Sequence, residues 1–270
     1  MDELIKIKDL PEKFGEDLVA EMQHSMICLG HACMKEKRVS PCGSGTLVRR
    51  GDVHGILTAA HVVHELREKD EVALFLTKGR GLFTFDKGTP VFSECLDANF
   101  AEEGPDIGFI QIPNAKVGTI GAVKSFINLD NQAAKIENGQ PDLEGSLWCA
   151  TGFPVAMGDQ KPEGEFLHTT LFGLVSLGVV DGYEERDRFD YYSVGVELNA
   201  DDSLPTSYAG MSGGGLWQIT IRRDGDEIEA VDKYLSGVVY YQTEIKDDFR
   251  FIKCHGRKSI YEYVLPELVV

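Results

Sequence analysis

The stretch SYAGMSGGGLW, residues 207–217, holds Ser212 in a glycine-dense bend that leads into an apolar, strand-like run. Gly210, Gly213 and Gly214 allow the backbone to turn tightly and to aim several N–H groups at one point. A serine hydroxyl is a poor nucleophile unless a base removes its proton and hydrogen-bond donors stabilise the oxyanion that forms. Because paired glycines also mark ordinary surface turns, the interpretation depends on a base and a carboxylate elsewhere in the chain.

The stretch GILTAAHVVH, residues 55–64, offers the base. Its pattern predicts an apolar strand that ends in small residues and then His61, so that another chain segment can come close to the histidine. Histidine is the side chain whose ordinary pKa suits proton transfer near neutral pH. His64 is interpreted as a solvated neighbour on a short helix. The competing interpretation of His61 is a core or capping histidine.

The stretch PDIGFIQI, residues 105–112, offers the carboxylate. Asp106 stands at the mouth of an apolar strand, where an aspartate is costly to bury unless it is hydrogen-bonded or paired. An imidazole N–H would satisfy the carboxylate and fix the tautomer of the histidine, and an ordinary Pro-Asp turn is the alternative. The three stretches together, in the order His, Asp and Ser, indicate a serine nucleophile with its base and orienting carboxylate.

The motifs TAAHV, DIGFI and GMSGGGLW resemble those of the trypsin/chymotrypsin-like serine peptidases, in that family's chain order and with similar spacing. The resemblance covers roughly residues 25–255. TGFP at 151–154 and GLVS at 173–176 are similar to the first strands of the second barrel in bacterial members. The resemblance implies an all-β fold of two antiparallel six-stranded β-barrels (trypsin-like), with short N-terminal and C-terminal helices.

The resemblance also implies a role for each candidate residue. Ser212 Oγ would attack the scissile carbonyl, His61 would act as general base and then general acid, and Asp106 would orient the imidazole. The backbone N–H groups of Gly210 and Ser212 would form the oxyanion hole. We therefore expect a serine endopeptidase that hydrolyses peptide bonds through an acyl-enzyme intermediate.

Candidate substrate-binding residues follow from the same resemblance. The strand that pairs with substrate in the family maps to Tyr240, Tyr241 and Gln242, and the residue at the base of the specificity pocket maps to Thr206. Bulky Tyr241 and Gln242 replace the small residues that often keep the mouth of this pocket open. Gly215 stands where proline is usual after Ser-Gly-Gly. Thr206 is neither acidic nor basic, so cleavage after Arg or Lys is not implied.

Short apolar runs separated by Gly, Pro and charged turns are typical of antiparallel sandwiches and barrels. The runs lie at 26–29, 45–48, 55–59, 71–76, 81–85, 107–112, 147–151, 169–178, 191–198, 216–221, 228–231 and 235–241. The predicted domains are an N-terminal helical extension at 1–24, a first β-barrel at 25–125, a linker at 126–145, a second β-barrel at 146–255 and a C-terminal helix at 256–270. We interpret 182–190 as an exposed charged loop and 222–227 as a hairpin turn.

Composition limits the classes of partner. The chain has 270 residues, 43% of them hydrophobic, and a formal net charge of −17, which argues against nucleic acid and against anionic membranes. No apolar run approaches the roughly 20 residues that span a bilayer. The N-terminus lacks the pattern of a secretory signal and the six cysteines lack paired spacing, so we expect a cytoplasmic protein with reduced thiols.

We expect no cofactor and no metal. His24, Cys28, His31 and Cys33 could supply zinc ligands, but alternation along a strand would place them on two faces. The expected partner is a protein or peptide substrate, together with a regulatory protein partner if the enzyme is held latent.

Three alternatives stay open. GMSGG also fits the nucleophile elbow of α/β hydrolases, which requires an acid and then a histidine downstream; Asp247, Asp248 and His255 offer these, but only 58 residues (270 − 212) remain for the rest of that fold. A catalytically inactive or latent trypsin-fold binding module would use its cleft to hold a peptide or protein partner. A latent enzyme would keep the Ser212 loop disordered until a ligand or partner orders it.

Overall fold

The chain is built mainly of antiparallel β-strands, as seen in a computed structural model that describes residues 10–33, 38–76, 82–86, 88–95, 97–139, 141, 146–163, 166–170, 173–197, 205–224, 227–246 and 248–267. The strands form two large sheets, one in each half of the chain, and a separate two-stranded hairpin. The prediction of a mostly-β, antiparallel fold is therefore confirmed.

The first sheet contains eight strands: β1 Met26–Cys33, β2 Arg38–Arg50, β3 Val53–Thr58, β4 Glu71–Phe75, β5 Leu82–Asp86, β6 Val91–Glu94, β7 Gly108–Gln111 and β8 Ile127–Asn128. Their order is β5-β4-β1-β2-β3-β7-β6, and β8 pairs with β2 in parallel. Among the described strands this order has two free ends, so the sheet is curled and open where a closed six-stranded barrel was expected.

The second sheet contains β9 Leu147–Gly152, β12 Leu174–Arg186, β13 Phe189–Glu197, β14 Gly215–Asp224, β15 Glu227–Gln242 and β16 Phe249–His255. Strand β9 pairs with β12 on one side and with β14 on the other, so the six strands follow one another in a closed hydrogen-bonded order. The remaining strands, β10 Asp159–Glu163 and β11 Phe166–Thr170, form the separate hairpin.

Short helices flank and connect the sheets: α1 Glu12–Met22, α2 Ala60–Arg67, α3 Asn114–Gly121, α4 Leu129–Gly139 and α5 Leu265–Glu267, with a 3-10 turn at Val155–Met157 and a π-helical segment at Ser259–Val264. The expected N-terminal helix is α1, and its buried residues Phe14, Leu18 and Met22 lie four apart, so they share one face of the helix. These side chains belong to one hydrophobic cluster that also includes Leu47 of β2 and Leu235 of β15. The core is thus shared by both halves of the chain.

The structure corrects one local prediction and adds a helix to another segment. Residues 182–190, expected as an exposed charged loop, lie in the hairpin of β12 and β13, where Tyr183 pairs with Tyr192 and the ring centroids are 5.2 Å apart. Aromatic cross-strand pairs stabilise a hairpin whose charged side chains face solvent. The segment 126–145, expected as a polar linker, contains α4, whose buried residue is Leu129. The tip of the expected turn at 222–227 lies outside the described residues, although β14 and β15 pair as far as Asp224 and Glu227.

Candidate active site

The His61–Asp106 pair lies at one edge of the first sheet. Strands β3 and β7 are antiparallel neighbours, so the end of β3 at Thr58 lies beside the start of β7 at Gly108. Helix α2 begins directly after β3 and carries His61, and Asp106 stands just before β7. The two sequence stretches that were expected to supply base and carboxylate therefore meet because their strands are paired.

The carboxylate of Asp106 holds His61 by two hydrogen bonds. The His61 backbone N–H donates to Oδ1 at 2.9 Å, and Nδ1 of the ring lies 2.6 Å from Oδ2. Because a carboxylate accepts, the proton of the ring is on Nδ1, and Nε2 of neutral His61 keeps its lone pair. Asp106 is fully buried, whereas 29% of the His61 side chain is exposed. The geometry thus fixes one side of the imidazole and leaves the other side accessible.

The Ser212 loop packs onto the same edge. Gly213 has a φ of +89°, and a Cβ built there would lie 2.0 Å from Thr58 Oγ1 and 2.1 Å from the carbonyl oxygen of Ser44. Only glycine allows this approach. Thr58 is the last residue of β3, three positions before His61, so the loop lies against the strand that leads into α2. The hydroxyl of Ser212 donates to the Tyr240 carbonyl at 3.5 Å and makes no hydrogen bond to His61.

Two N–H groups in this loop find no acceptor in the part of the chain that the structure describes. Within 210–214, the N–H of Met211 donates to Tyr208, that of Gly213 to Val239 and that of Gly214 to Met211. Among the hydrogen bonds between described residues, the N–H groups of Gly210 and Ser212 donate to none. These are the two groups that the sequence singled out for the oxyanion hole.

Both peptide groups that flank Gly210 are held in place. The carbonyl of Ala209 accepts from the N–H of Val155 at 2.8 Å, and the carbonyl of Gly210 accepts from Ser44 Oγ at 2.7 Å. A trans peptide directs its carbonyl and its N–H to opposite sides, so the Gly210 N–H points away from Val155. Gly210 has a φ of +94°, which an L side chain rarely adopts. The orientation of the loop is therefore determined by contacts outside it.

Ser44 is a residue that the sequence reasoning missed. It is fully buried in β2, its N–H donates to the Ser212 carbonyl at 2.7 Å, and its Oγ accepts from the Phe153 N–H at 2.9 Å. Its own carbonyl accepts from Thr58 Oγ1 at 2.7 Å. A serine between Gly43 and Gly45 was the available signal, because a buried hydroxyl needs partners.

The expected substrate-binding residues fall into three environments. Tyr240 is buried and its hydroxyl donates to the carbonyl of Glu102 at 2.7 Å. Tyr241 is half-buried. Thr206 is exposed, which differs from the covered position expected at the base of a pocket.

Gln242 crosses the space between the strand at 240–242 and the segment that leads into Ser212. Its Oε1 accepts from the Tyr208 N–H at 2.8 Å and from Arg250 Nη1, and its Nε2 donates to Ser207 Oγ at 3.4 Å. A substrate side chain that enters between these two segments would meet the amide of Gln242.

His255 is a second buried histidine at the site. It lies at the end of β16, is fully buried, and its Nε2 accepts from the backbone N–H of Asp106 at 2.8 Å. Burial, with a smaller contribution from the Arg186 charge, lowers the pKa of His255 to about 3. A histidine whose Nε2 is occupied in this way is a poor general base, which argues against the α/β-hydrolase alternative.

Among the described side chains, the cysteines are free and the candidate zinc ligands form no metal site. The five cysteines whose side chains are described, Cys28, Cys42, Cys95, Cys149 and Cys254, are free. Burial raises the pKa of the Cys28 thiol well above its usual range. No group of three or more His, Cys, Asp or Glu residues among the described side chains could hold a metal ion. Similarly, none of the described helices has the length and apolar character required to cross a membrane.

Comparisons with known proteins add no relative. No protein-family model matches the chain, and a search of curated proteins found no match either.

Proposed function

We propose that this protein is a serine endopeptidase. The observation that carries the proposal is the buried Asp106 that orients His61 beside a loop whose two unused N–H groups are those of Gly210 and Ser212. Base, carboxylate, hydroxyl and two free donors are the parts that acyl transfer to a serine requires. They come from separate parts of the chain, which makes an accidental grouping a weak explanation.

The proposed reaction has an acylation half and a deacylation half, and His61 transfers a proton in both. Nε2 of His61 takes the proton of Ser212 Oγ as the oxygen forms a bond to the scissile carbonyl carbon, and the Gly210 and Ser212 N–H groups stabilise the resulting oxyanion. The imidazolium, stabilised by Asp106, then gives this proton to the leaving amine as the peptide bond breaks. Water, activated by His61, hydrolyses the acyl-enzyme. In this proposal the Ser212 hydroxyl rotates from Tyr240 towards His61 when substrate binds.

The fold supports a trypsin-like assignment. In the proposed arrangement, the curled first sheet and the closed order of the second correspond to the two barrels of the family, with the site between them. The substrate is a protein or peptide with a small side chain before the scissile bond, because Gln242 fills the space that a large one would use. The net charge of −17 favours cationic over anionic partners, and the proposed location is the cytoplasm.

Labelling with a fluorophosphonate probe tests the proposal, because such probes react with a serine only when base and oxyanion donors are assembled. We expect wild-type protein to be labelled and Ser212→Ala to be unlabelled. The matched control is His64→Ala, which removes an exposed histidine of the same helix and should leave labelling unchanged. Labelling that persists in Ser212→Ala would mean that another residue is the nucleophile.

Two contacts favour a second function, that of a latent or inactive trypsin-fold binding module. The Ser212 hydroxyl donates to the Tyr240 carbonyl and Gln242 crosses the adjacent space. A folded wild-type protein that resists labelling would support this alternative, and a regulatory or bound protein partner would then be sought by the same assay in the presence of candidate peptides.

A further inference from the structure

Asp106 makes a contact that the proposed reaction does not use. Its carboxylate faces His61, but its backbone N–H donates to Nε2 of His255 at 2.8 Å. The two histidines therefore bind the same aspartate from opposite sides. His61 comes from the first half of the chain and His255 from the last strand of the second.

The contact fixes the protonation of His255. A backbone N–H can only donate, so Nε2 of His255 must carry a lone pair, and the single ring proton of the neutral form is on Nδ1. Nδ1 lies 3.2 Å from Ser259 Oγ, which accepts this proton. The structure thus requires the Nδ1–H tautomer at His255.

The hydrogen bonds continue to a buried carboxylate. Ser259 Oγ donates to Asp190 Oδ1 at 2.8 Å, and the same oxygen accepts from the Ser259 N–H at 2.8 Å. Asp190 Oδ2 accepts from the Lys258 N–H at 3.1 Å. Both Asp190 and Ser259 are buried. Because the carboxylate only accepts, the serine proton stays on its side. Ser259 Oγ also accepts from the Asp190 N–H at 3.1 Å, which leaves one serine lone pair for His255.

The surroundings keep His255 neutral and immobile. The rings of Tyr191, Tyr240 and Phe189 have centroids 4.9, 5.0 and 5.6 Å from that of His255. The charged groups around it include the carboxylates of Asp106 and Asp190 and the guanidinium of Arg186, which lies over the Tyr191 ring. No position remains for the ring to turn without leaving the Asp106 N–H unpaired.

We propose that His255 is a positioning residue of the peptidase site, acting as the neutral Nδ1–H tautomer that holds the Asp106 backbone and thereby aims the Asp106 carboxylate at His61. Only the expected effect of His255 on the reaction rate rests on the proposed function. The tautomer itself and its influence on His61 are properties of the folded protein and exist whether or not the protein cleaves peptides.

Nitrogen-15 NMR of the histidine rings in the full-length protein tests the tautomer. We expect His255 to show a protonated Nδ1 and an unprotonated Nε2 at neutral pH, whereas His61 shows a protonated Nδ1 whose proton is shifted downfield by the Asp106 carboxylate. His54, whose Nδ1 contacts the Asp52 carbonyl at 3.0 Å in an exposed setting, provides an internal reference. A protonated Nε2 at His255, or a doubly protonated ring, would overturn the proposal.

Three variants test the positioning. In His255→Leu the Asp106 N–H loses its acceptor, and we expect the His61 Nδ1–H resonance to move or broaden and the rate of fluorophosphonate labelling to fall about 10- to 100-fold, the range for an unpaired buried donor. His255→Gln can offer an amide oxygen to the same N–H and should recover most of the rate. Ser25→Ala, which removes a buried hydroxyl elsewhere, should change neither signal.

The readouts separate this proposal from the proposed function. If wild type is not labelled but the tautomer and the His61 resonance behave as expected, the positioning stands and the peptidase assignment fails. If His255→Leu is folded, keeps the wild-type His61 resonance and is labelled at the wild-type rate, the positioning is wrong. Should His255→Leu not fold, His255→Phe replaces it, because this side chain fills the volume of the ring and offers no acceptor: a wild-type His61 resonance and labelling rate in that variant would contradict the proposal.

Discussion

Asp106 contacts His61 on one side, called here the open side, and His255 on the other, called the buried side. The two histidines differ in how their ring nitrogens are used. On the open side, His61 uses Nδ1 to contact the carboxylate, and 29% of its side chain is exposed. On the buried side, His255 has both ring nitrogens occupied and no exposed surface. A histidine next to an aspartate is therefore no catalyst by itself. One nitrogen must be fixed while the other is free and accessible.

The largest expected effect comes from the open side. If Ser212 is the nucleophile, His61→Ala should slow its labelling or turnover by about a million-fold, and Asp106→Asn by about ten-thousand-fold, because the histidine then takes the wrong tautomer. Rates measured beside those of His64→Ala would check this. A loss of only a few-fold in His61→Ala would mean that another group serves as the base.

On the buried side the expected effect is on stability and its pH dependence. The folded protein holds the pKa of His255 at about 3, below the ordinary value of 6.5, so between these values the unfolded chain binds more protons than the folded one. This contribution to stability is complete above pH 6.5 and is lost as pH falls, by about 1.4 kcal/mol for each pH unit. Urea unfolding at several pH values should show a shallower dependence in His255→Gln. Parallel curves for the two proteins would contradict the prediction.

A smaller effect is expected at the edge of the open side, where Gln242 faces incoming substrate. Removing its side chain in Gln242→Gly should open the space between Tyr208 and the strand at 240–242. We expect peptidyl phosphonates with Phe at the reactive position to gain about 10- to 100-fold in labelling rate relative to those with Ala, since pocket shape is worth about 1–3 kcal/mol. An unchanged preference would show that substrate side chains bind elsewhere.

The open side could be predicted from sequence because its residues lie in short, recognisable patterns. His61 follows an apolar strand, Asp106 precedes one, and pairing of those strands brings them together. The glycines around Ser212 indicated a turn with converging N–H groups, and within 210–214 the N–H groups of Gly210 and Ser212 have no acceptor among the described residues. The assignment of catalytic roles to these residues stays a prediction.

The buried side could not be predicted because nothing in its local sequence distinguishes it. His255 was considered only as a base for an α/β hydrolase, and its contact with Asp106 joins residues 149 positions apart. The contact of Ser44 is equally distant in sequence, because its Oγ reaches Gly210 across 166 positions. Apolar residues that recur every two or about every four positions reveal strands and helices. The partners of a buried polar group depend instead on how whole sheets pack.

The fold itself was predicted in outline and differed in detail for the same reason. The alternation of short apolar runs indicated antiparallel strands, and these are observed. The helix at Leu129–Gly139 was missed because a polar segment was read as a connection, and the hairpin of β12 and β13 because the charges at 184–188 outweighed the neighbouring aromatics. The buried Leu129 of α4 and the Tyr183–Tyr192 pair of the hairpin are contacts that the charges of these segments do not reveal.

The position of Ser44 has a consequence for how the molecule could be divided. Its N–H and hydroxyl reach Ser212, Gly210 and Phe153, all of which belong to the other half of the chain. A polypeptide cut between the halves would leave the carbonyl oxygens of Gly210 and Ser212 without these donors in the C-terminal fragment. Neither fragment would carry a complete site, and mixing them would restore one only through reassociation. Any fluorophosphonate labelling of the mixed fragments would therefore measure how far they reassociate.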